Sequence, residues 1–138
     1  MKSQNIIVDK SLTFSVEVIK LCELPEANKK YVVAKQLLRS GTSIGANVFE
    51  AQHAESVADF IHKMKIAIKE ANETVYWLLI CQLSESYPAN NFLKELSEEL
   101  IRIISKIILF SKSKPGGMMF VFGLYLFSFM RYKIDLIK

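Results

Sequence analysis

Two acid-x-x-His pairs are the residues in this sequence best suited to metal chemistry. They are Glu50-x-x-His53 and Asp59-x-x-His62, and their spacing places a carboxylate and an imidazole on one helix face, as in di-iron bundles. A di-iron site takes such pairs from two helices that meet in mid-bundle, with carboxylates from the other two helices. Here both pairs flank one predicted turn, and two histidines are few for a metal centre. We therefore expect no metal and no cofactor, and interpret the pairs as solvated or interface residues.

No other residues form a catalytic pattern. Gly41-Thr42-Ser43 lacks the lysine that a Walker phosphate-binding loop requires. No serine or cysteine has a recognisable histidine and acid arranged around it. The sequence therefore predicts a non-enzymatic protein without a small-molecule substrate.

The second predicted helix, from Asn28 to Ala54, has two faces of different chemistry. At 100° per residue, one face is apolar and contains two glycines that would let another helix approach closely; it consists of Leu37, Leu38, Gly41, Ile44, Gly45 and Val48. The other face is small and mostly uncharged, whereas a solvated helix face is normally rich in Lys and Glu. We therefore predict that it is an oligomer interface; it consists of Gln36, Arg39, Ser43, Asn47 and Glu50.

The two charged residues of this face leave two pairings open. Arg39 and Glu50 lie about 16 Å apart along the helix axis, too far to pair within one helix. They either pair between subunits or pair with other helices of their own subunit, for example Arg39 with Glu73.

Lysines on the second and third predicted helices could contact the phosphates of a nucleic acid. However, acids interleave them, and residues 1–111 contain 13 Lys/Arg and 13 Asp/Glu. The net charge of +4 therefore comes entirely from residues 112–138, so the basic pI is weak evidence for nucleic-acid binding. Phosphate contacts and ordinary solvated faces both stay open for these candidates, which are Lys29, Lys30, Lys35, Lys63, Lys65 and Lys69.

Four amphipathic helices must position these residues. Apolar residues repeat at alternating spacings of three and four, which is typical of bundle packing. The predicted helices span Asp9–Glu23, Asn28–Ala54, Val57–Cys81 and Phe92–Phe110. Because the links are short, we predict an all-α, antiparallel up-down-up-down four-helix bundle over residues 1–112.

Three local features complete this prediction. The first helix carries one apolar stripe at Leu12, Val16 and Ile19 and another at Phe14, Val18 and Leu21, so much of its circumference should be buried. Leu24-Pro25 should end it. The second helix should continue through Ser40-Gly41-Thr42-Ser43, because its core stripe keeps its phase there.

The C-terminal extension, residues 113–138, does not follow the bundle pattern. After Pro115-Gly116-Gly117 comes an apolar run, residues 118–130, which is too short for a membrane span of about 20 residues. It either packs on the bundle, binds a membrane surface or a partner, or is foreign to the parent fold.

The two cysteines indicate the compartment. Cys22 and Cys81 lie in apolar helical contexts, which is typical of buried thiols in a reducing compartment. Met1–Asp9 has no apolar stretch of the kind found in a secretory signal. A cytoplasmic location is therefore expected.

The stretch from Leu37 to Leu78 resembles the four-helix-bundle proteins encoded by intervening sequences in bacterial 23S ribosomal RNA genes. The resemblance covers about residues 5–112 and is most specific at Arg39-Ser40-Gly41-x-Ser43-Ile44-x-x-Asn47, Glu50, Asp59-Phe60-Ile61 and Ala67 to Glu73. It implies a left-handed bundle that assembles into a homopentameric ring. The function of that family is poorly defined, and association with RNA is the usual proposal.

Two functional hypotheses follow. The first is a homo-oligomeric bundle protein that associates with RNA or another nucleic acid. The alternative is an assembly scaffold that binds a protein partner without nucleic acid. The genomic setting of the family favours the first, whereas the balanced charge of residues 1–111 favours the second.

Overall fold

The computed structural model describes residues 5–26, 31–84 and 86–113, which form four α-helices. They are α1 (Ile6–Glu26), α2 (Tyr31–Ala51), α3 (Val57–Leu83) and α4 (Asn91–Lys112). Consecutive helices pack against each other, and α1 also contacts α4, so that the four close into one bundle. The predicted all-α four-helix bundle is confirmed.

Contacts near both ends of α1 show that it runs antiparallel to α2. Asn5 Nδ2 donates to Gln52 Oε1 at 2.7 Å, and the Cys22 thiol donates to the Ala34 carbonyl at 3.4 Å. Two ion pairs, Arg39 with Glu73 and Glu50 with Lys63, show that α2 and α3 are also antiparallel. The short links therefore produce the up-down-up-down order.

Helix α1 is longer than predicted at both ends. It begins at Ile6, where Asn5 Oδ1 accepts a hydrogen bond from Ile7 N at 3.2 Å. It ends at Glu26, so the prediction that Leu24-Pro25 terminates it is wrong. A proline this close to the C-terminus removes only one backbone donor, because the hydrogen-bond ladder is already ending there.

Helix α2 is continuous through Ser40 and Ser43, as predicted. It ends at Ala51, three residues earlier than predicted. The backbone N–H groups of the next three residues donate hydrogen bonds to the carbonyl three residues back instead of four. One of them joins His53 N to Glu50 O at 2.9 Å. This tight turn reverses the chain towards α3. Residues 28–30 of the predicted helix lie outside the described residues.

Helix α1 packs closely against the two glycines of α2. A Cβ at Gly41 would lie 2.8 Å from Val18 Cγ1 and 2.9 Å from Val18 Cγ2. A Cβ at Gly45 would lie 2.8 Å from Ser15 Oγ and 3.3 Å from the Ser11 carbonyl oxygen. Both glycines are buried, so the apolar face of α2 points inward, as the sequence predicts.

Side-chain caps define the starts of α3 and α4. Ser56 Oγ accepts from Asp59 N at 3.1 Å, and Asp59 Oδ2 accepts from Glu55 N at 3.2 Å. This arrangement resembles a capping box and supports the predicted start of α3. Asn90 Oδ1 accepts from Leu93 N at 2.9 Å and caps α4.

Buried hydroxyl groups hydrogen bond between and within the helices. Ser40 and Thr74 are fully buried, and their hydroxyl oxygens lie 3.0 Å apart in a hydrogen bond between α2 and α3. The Ser97 hydroxyl donates to the Ala71 carbonyl at 3.1 Å, which joins α4 to α3. These bonds satisfy polar atoms inside the core and fix the register of three helices.

Only one of the two apolar stripes of α1 is buried. Phe14 and Val18 are at most 1% exposed, whereas Leu12, Val16 and Ile19 are 50%, 49% and 42% exposed. The prediction that much of the circumference of α1 is buried is therefore wrong for a single subunit. A four-helix bundle covers each helix from only two neighbouring sides, so the outer stripe of α1 faces away from the core.

Across the described residues, no helix combines the length and the apolar character that a membrane span needs. The predictions for the C-terminal extension concern residues 114–138, which lie outside the described residues.

The substitution Gly41→Ala tests the contact between α1 and α2. Alanine improves helix propensity by about 1 kcal/mol, but overpacking a dense core costs about 1–3 kcal/mol. Because the nearest atoms belong to the stiff, buried Val18 side chain, we expect a net loss of about 1 kcal/mol in the free energy of unfolding. Urea unfolding followed by circular dichroism measures it.

The matched control uses a Val18→Ala background. Removing the two methyl groups removes the predicted clash, so Gly41→Ala should there be neutral or stabilising. A loss of the same size in both backgrounds would show that the close packing at Val18 is not the cause.

Candidate assembly and nucleic-acid-binding surfaces

The polar face of α2 borders α3. Arg39 and Glu50 are exposed, whereas Gln36, Ser43 and Asn47 are half-buried. Asn47 Nδ2 donates to the Ser43 carbonyl at 2.9 Å, within the same helix. The structure therefore places all five predicted interface residues along one side of α2, with their charged members within reach of α3.

Arg39 joins two glutamates of its own subunit. Its guanidinium group hydrogen bonds to Glu73, and its Nη1 lies 3.6 Å from Glu70 Oε2. The Trp77 indole donates to Glu73 Oε1 at 3.2 Å. The hydrogen bond from Arg39 lowers the pKa of the Glu73 carboxyl below its usual range, and the Trp77 N–H group lowers it further. Of the two pairings left open by the sequence, the subunit uses the internal one.

Glu50 is also paired within the subunit. Lys63 Nζ on α3 lies 2.6 Å from Glu50 Oε2. This hydrogen bond raises the pKa of the Lys63 ammonium group. The charge of Lys63 is therefore offset by Glu50, which makes Lys63 a poorer candidate for binding phosphate than an unpaired lysine.

The remaining predicted phosphate-binding lysines are spread over different faces. Lys65 and Lys69 are exposed on the side of α3 that points away from the core, and Lys35 is exposed on α2. In the part of the chain that the structure describes, none of these three lies within 4.0 Å of a carboxylate oxygen. Lys29 and Lys30 lie outside the described residues.

The two acid-x-x-His pairs make other contacts. Glu50 pairs with Lys63, and Asp59 caps the start of α3. The His53 ring lies 5.6 Å from the Phe49 ring, and His62 is exposed. Within residues 5–26, 31–84 and 86–113, no group of three His, Cys, Asp or Glu side chains could hold a metal ion.

Cys22 and Cys81 lie at the opposite end of the bundle and line one small cavity, which Tyr87 and Pro88 border. Both cysteines are buried. Burial raises the pKa of the Cys81 thiol, so this group is held in its protonated, unreactive form. These positions agree with the expectation of buried thiols.

Comparison with known proteins gives the family. The model of a family described as "23S rRNA-intervening sequence protein" matches residues 3–108, most of the chain. The chain belongs to this family. A solved structure of a protein of unknown function from the S23 ribosomal protein family of Bacteroides thetaiotaomicron VPI-5482 is 44% identical, with a TM-score of 0.71. The similarity covers 75% of this chain and 98% of that one. No functionally curated protein matches the chain.

Two features of this family member were not found from the sequence. The first is the exposure of one stripe of α1, because periodicity shows that a stripe is apolar but not whether a neighbour covers it. The second is Glu70, whose Oε2 is buried and faces Arg39. The spacing of Glu70 and Glu73 on one helix face was the available signal.

The substitution Glu73→Gln tests the ion pair. Because the pKa of Glu73 is lowered in the folded protein, its ionised form stabilises the fold above the ordinary carboxyl pKa. That stability is lost as the pH falls through the lowered value. We therefore expect Glu73→Gln to reduce the urea midpoint at pH 7, modestly because Arg39 is 53% exposed. The difference from the unsubstituted protein should shrink steadily in acid.

Glu95→Gln, on the exposed surface of α4, is the control and should change the midpoint little at either pH. A Glu73→Gln difference that stays constant from pH 7 into acid would contradict the ionised pair.

Proposed function

We propose that this member of the 23S rRNA-intervening sequence protein family is a non-enzymatic, homo-oligomeric bundle protein of the cytoplasm that associates with RNA. Family membership supports the RNA association only by the name and genomic setting of the family. Assembly is supported by the exposed apolar stripe of α1, and RNA binding by exposed lysines of α3. These two features can be tested separately.

The exposed apolar stripe of α1 is the observation that supports assembly most strongly. Leu12, Val16 and Ile19 recur on one side of α1 at 42–50% exposure, and Phe49 of α2 is 51% exposed. A run of this kind is typical of a surface that another protein covers. A second copy of the chain would cover it in the oligomer that the family resemblance implies.

A ring requires two different surfaces on each subunit. In a cyclic oligomer with more than two members, one patch of a subunit meets a different patch of the next. The stripe lies on α1, whereas the polar face of α2 lies along its border with α3. We propose that these are the two surfaces, with Gln36, Ser43 and Asn47 as hydrogen-bonding members of the second. The ring number proposed by resemblance is five.

Two substitutions test this assembly. Leu12→Glu places a charge in the apolar stripe, and Asn47→Arg places a long cation in the polar face. Because both positions are partly accessible in the subunit, the bundle should fold while the contact between copies is lost. We expect each variant to give a monomer of about 16 kDa by light scattering.

The controls carry the same chemical changes elsewhere. Leu109→Glu alters an exposed leucine of α4. Asn72→Arg alters an exposed asparagine of α3 whose Nδ2 also bonds the carbonyl four residues back, at 2.8 Å. Both controls should keep the mass of the unsubstituted oligomer. If the unsubstituted chain is itself monomeric, the assembly proposal is wrong.

RNA association is supported by the free lysines on α3. Lys65 and Lys69 are exposed, and neither has a carboxylate partner within the described chain. One subunit offers few such cations, but a ring would present several copies, and multivalency converts weak contacts into useful affinity. The balanced charge of residues 1–111 instead favours the alternative, a scaffold that binds a protein partner without nucleic acid.

A salt titration separates the two functions. If RNA binds through its phosphates, the affinity for a fluorescently labelled single-stranded RNA should fall steeply with salt, with a log–log slope of about −0.7 per phosphate contact. Fluorescence anisotropy measures this. Failure to bind RNA at low salt would remove the RNA proposal and leave the scaffold.

A further inference from the structure

Helix α3 sorts its charges by side. Its acids near the middle, Glu70 and Glu73, are half-buried on the side towards α2, where Arg39 lies between them. Lys65 and Lys69 point away from the core and are exposed. Acids and lysines that alternate along the sequence of α3 therefore lie on different sides of the folded helix.

Helix α4 brings two more cations to the same level of the bundle. The bond from Ser97 to Ala71 sets the register of α4 against α3. Because the helices are antiparallel, Arg102 lies level with about residue 66 of α3, and Lys106 with about residue 62. Both are exposed, and their spacing of four residues places them on one face of α4.

The acids of α4 lie at one end of this region. The helix has no Asp or Glu after Glu99, and Glu99 is paired with Lys10 of α1 at 2.9 Å. By the same register, Glu95 and Glu98 lie level with about residues 73 and 70, so Glu98 lies at the Lys69 end of the region and one turn before Arg102. In the described chain, neither Arg102 nor Lys106 has a carboxylate within 4.0 Å.

We infer that the adjoining outer faces of α3 and α4 form the surface that holds the phosphate backbone of RNA. This basic face consists of His62, Lys65, Lys69, Arg102 and Lys106. The inference rests on the proposed RNA association and assigns it to a surface. It excludes Lys63, which is paired with Glu50, and includes Arg102 and Lys106 of α4, which the sequence pattern does not single out.

The composition of the basic face determines the kind of recognition. Lysine ammonium groups act as point charges, and an arginine can hold two phosphate oxygens at once. Contacts of this kind position a backbone without reading bases. Binding should therefore be independent of sequence and sensitive to salt.

Charge reversal of one residue from each helix tests the basic face. The variant Lys65→Glu/Arg102→Glu should bind a labelled single-stranded RNA at least about tenfold more weakly at low salt, because two phosphate contacts become repulsive. The control Lys20→Glu/Lys35→Glu makes the same change of net charge on exposed positions of α1 and α2. It should stay within about threefold of the unsubstituted chain, since long-range effects are screened. Circular dichroism and light scattering verify that both variants fold and assemble.

The outcomes distinguish this inference from the proposed function. If the unsubstituted chain binds RNA and both double variants lose affinity equally, or neither does, RNA association stands and the basic face is wrong. If the unsubstituted chain binds no RNA at low salt, the RNA association itself fails. Binding to phosphatidylserine vesicles without binding to RNA would identify the face as a membrane-binding surface and would also overturn the inference.

Discussion

The close contact of α1 with the glycine side of α2 is the constraint on which the other features depend. A Cβ at Gly41 or Gly45 would come within 3.0 Å of Val18 or Ser15, so these contacts favour one rotational setting of α2 against α1. With that side fixed, Ser40 points at Thr74 of α3. The polar residues of α2 then lie along its border with α3.

This setting of α2 also decides which charges of α3 are available to a partner. Arg39 and Glu50 reach across the border and pair with Glu73 and Lys63, so both cations on that side of α3 already have a carboxylate partner. Lys65 and Lys69, on the outer side of α3, are exposed and have no carboxylate oxygen within 4.0 Å among the described residues. A chain whose body has no net charge can thus present a basic face, because its acids and bases are separated by packing.

The sequence was sufficient for features that depend on local patterns. It predicted the number and order of the helices, the continuity of α2 through Ser43 and the inward direction of Gly41 and Gly45. It was insufficient for features that depend on which helices lie next to each other. Periodicity could not tell the buried stripe of α1 from the exposed one, and Pro25 was treated as a stop although α1 ends one residue beyond it. That Arg102 lies level with Lys65 depends on the register between helices, which the order of residues does not show.

Mass-spectrometric footprinting of lysine acetylation tests most directly whether packing sorts the charges in this way. Without RNA, Lys63 should react more slowly than Lys65 and Lys69, because its ammonium group is bonded to Glu50 and has a raised pKa. With RNA, protection should concentrate on Lys65, Lys69 and Lys106 and leave Lys20 and Lys35 unchanged. Equal reactivity of Lys63 and Lys65 without RNA, together with uniform protection in its presence, would contradict the account.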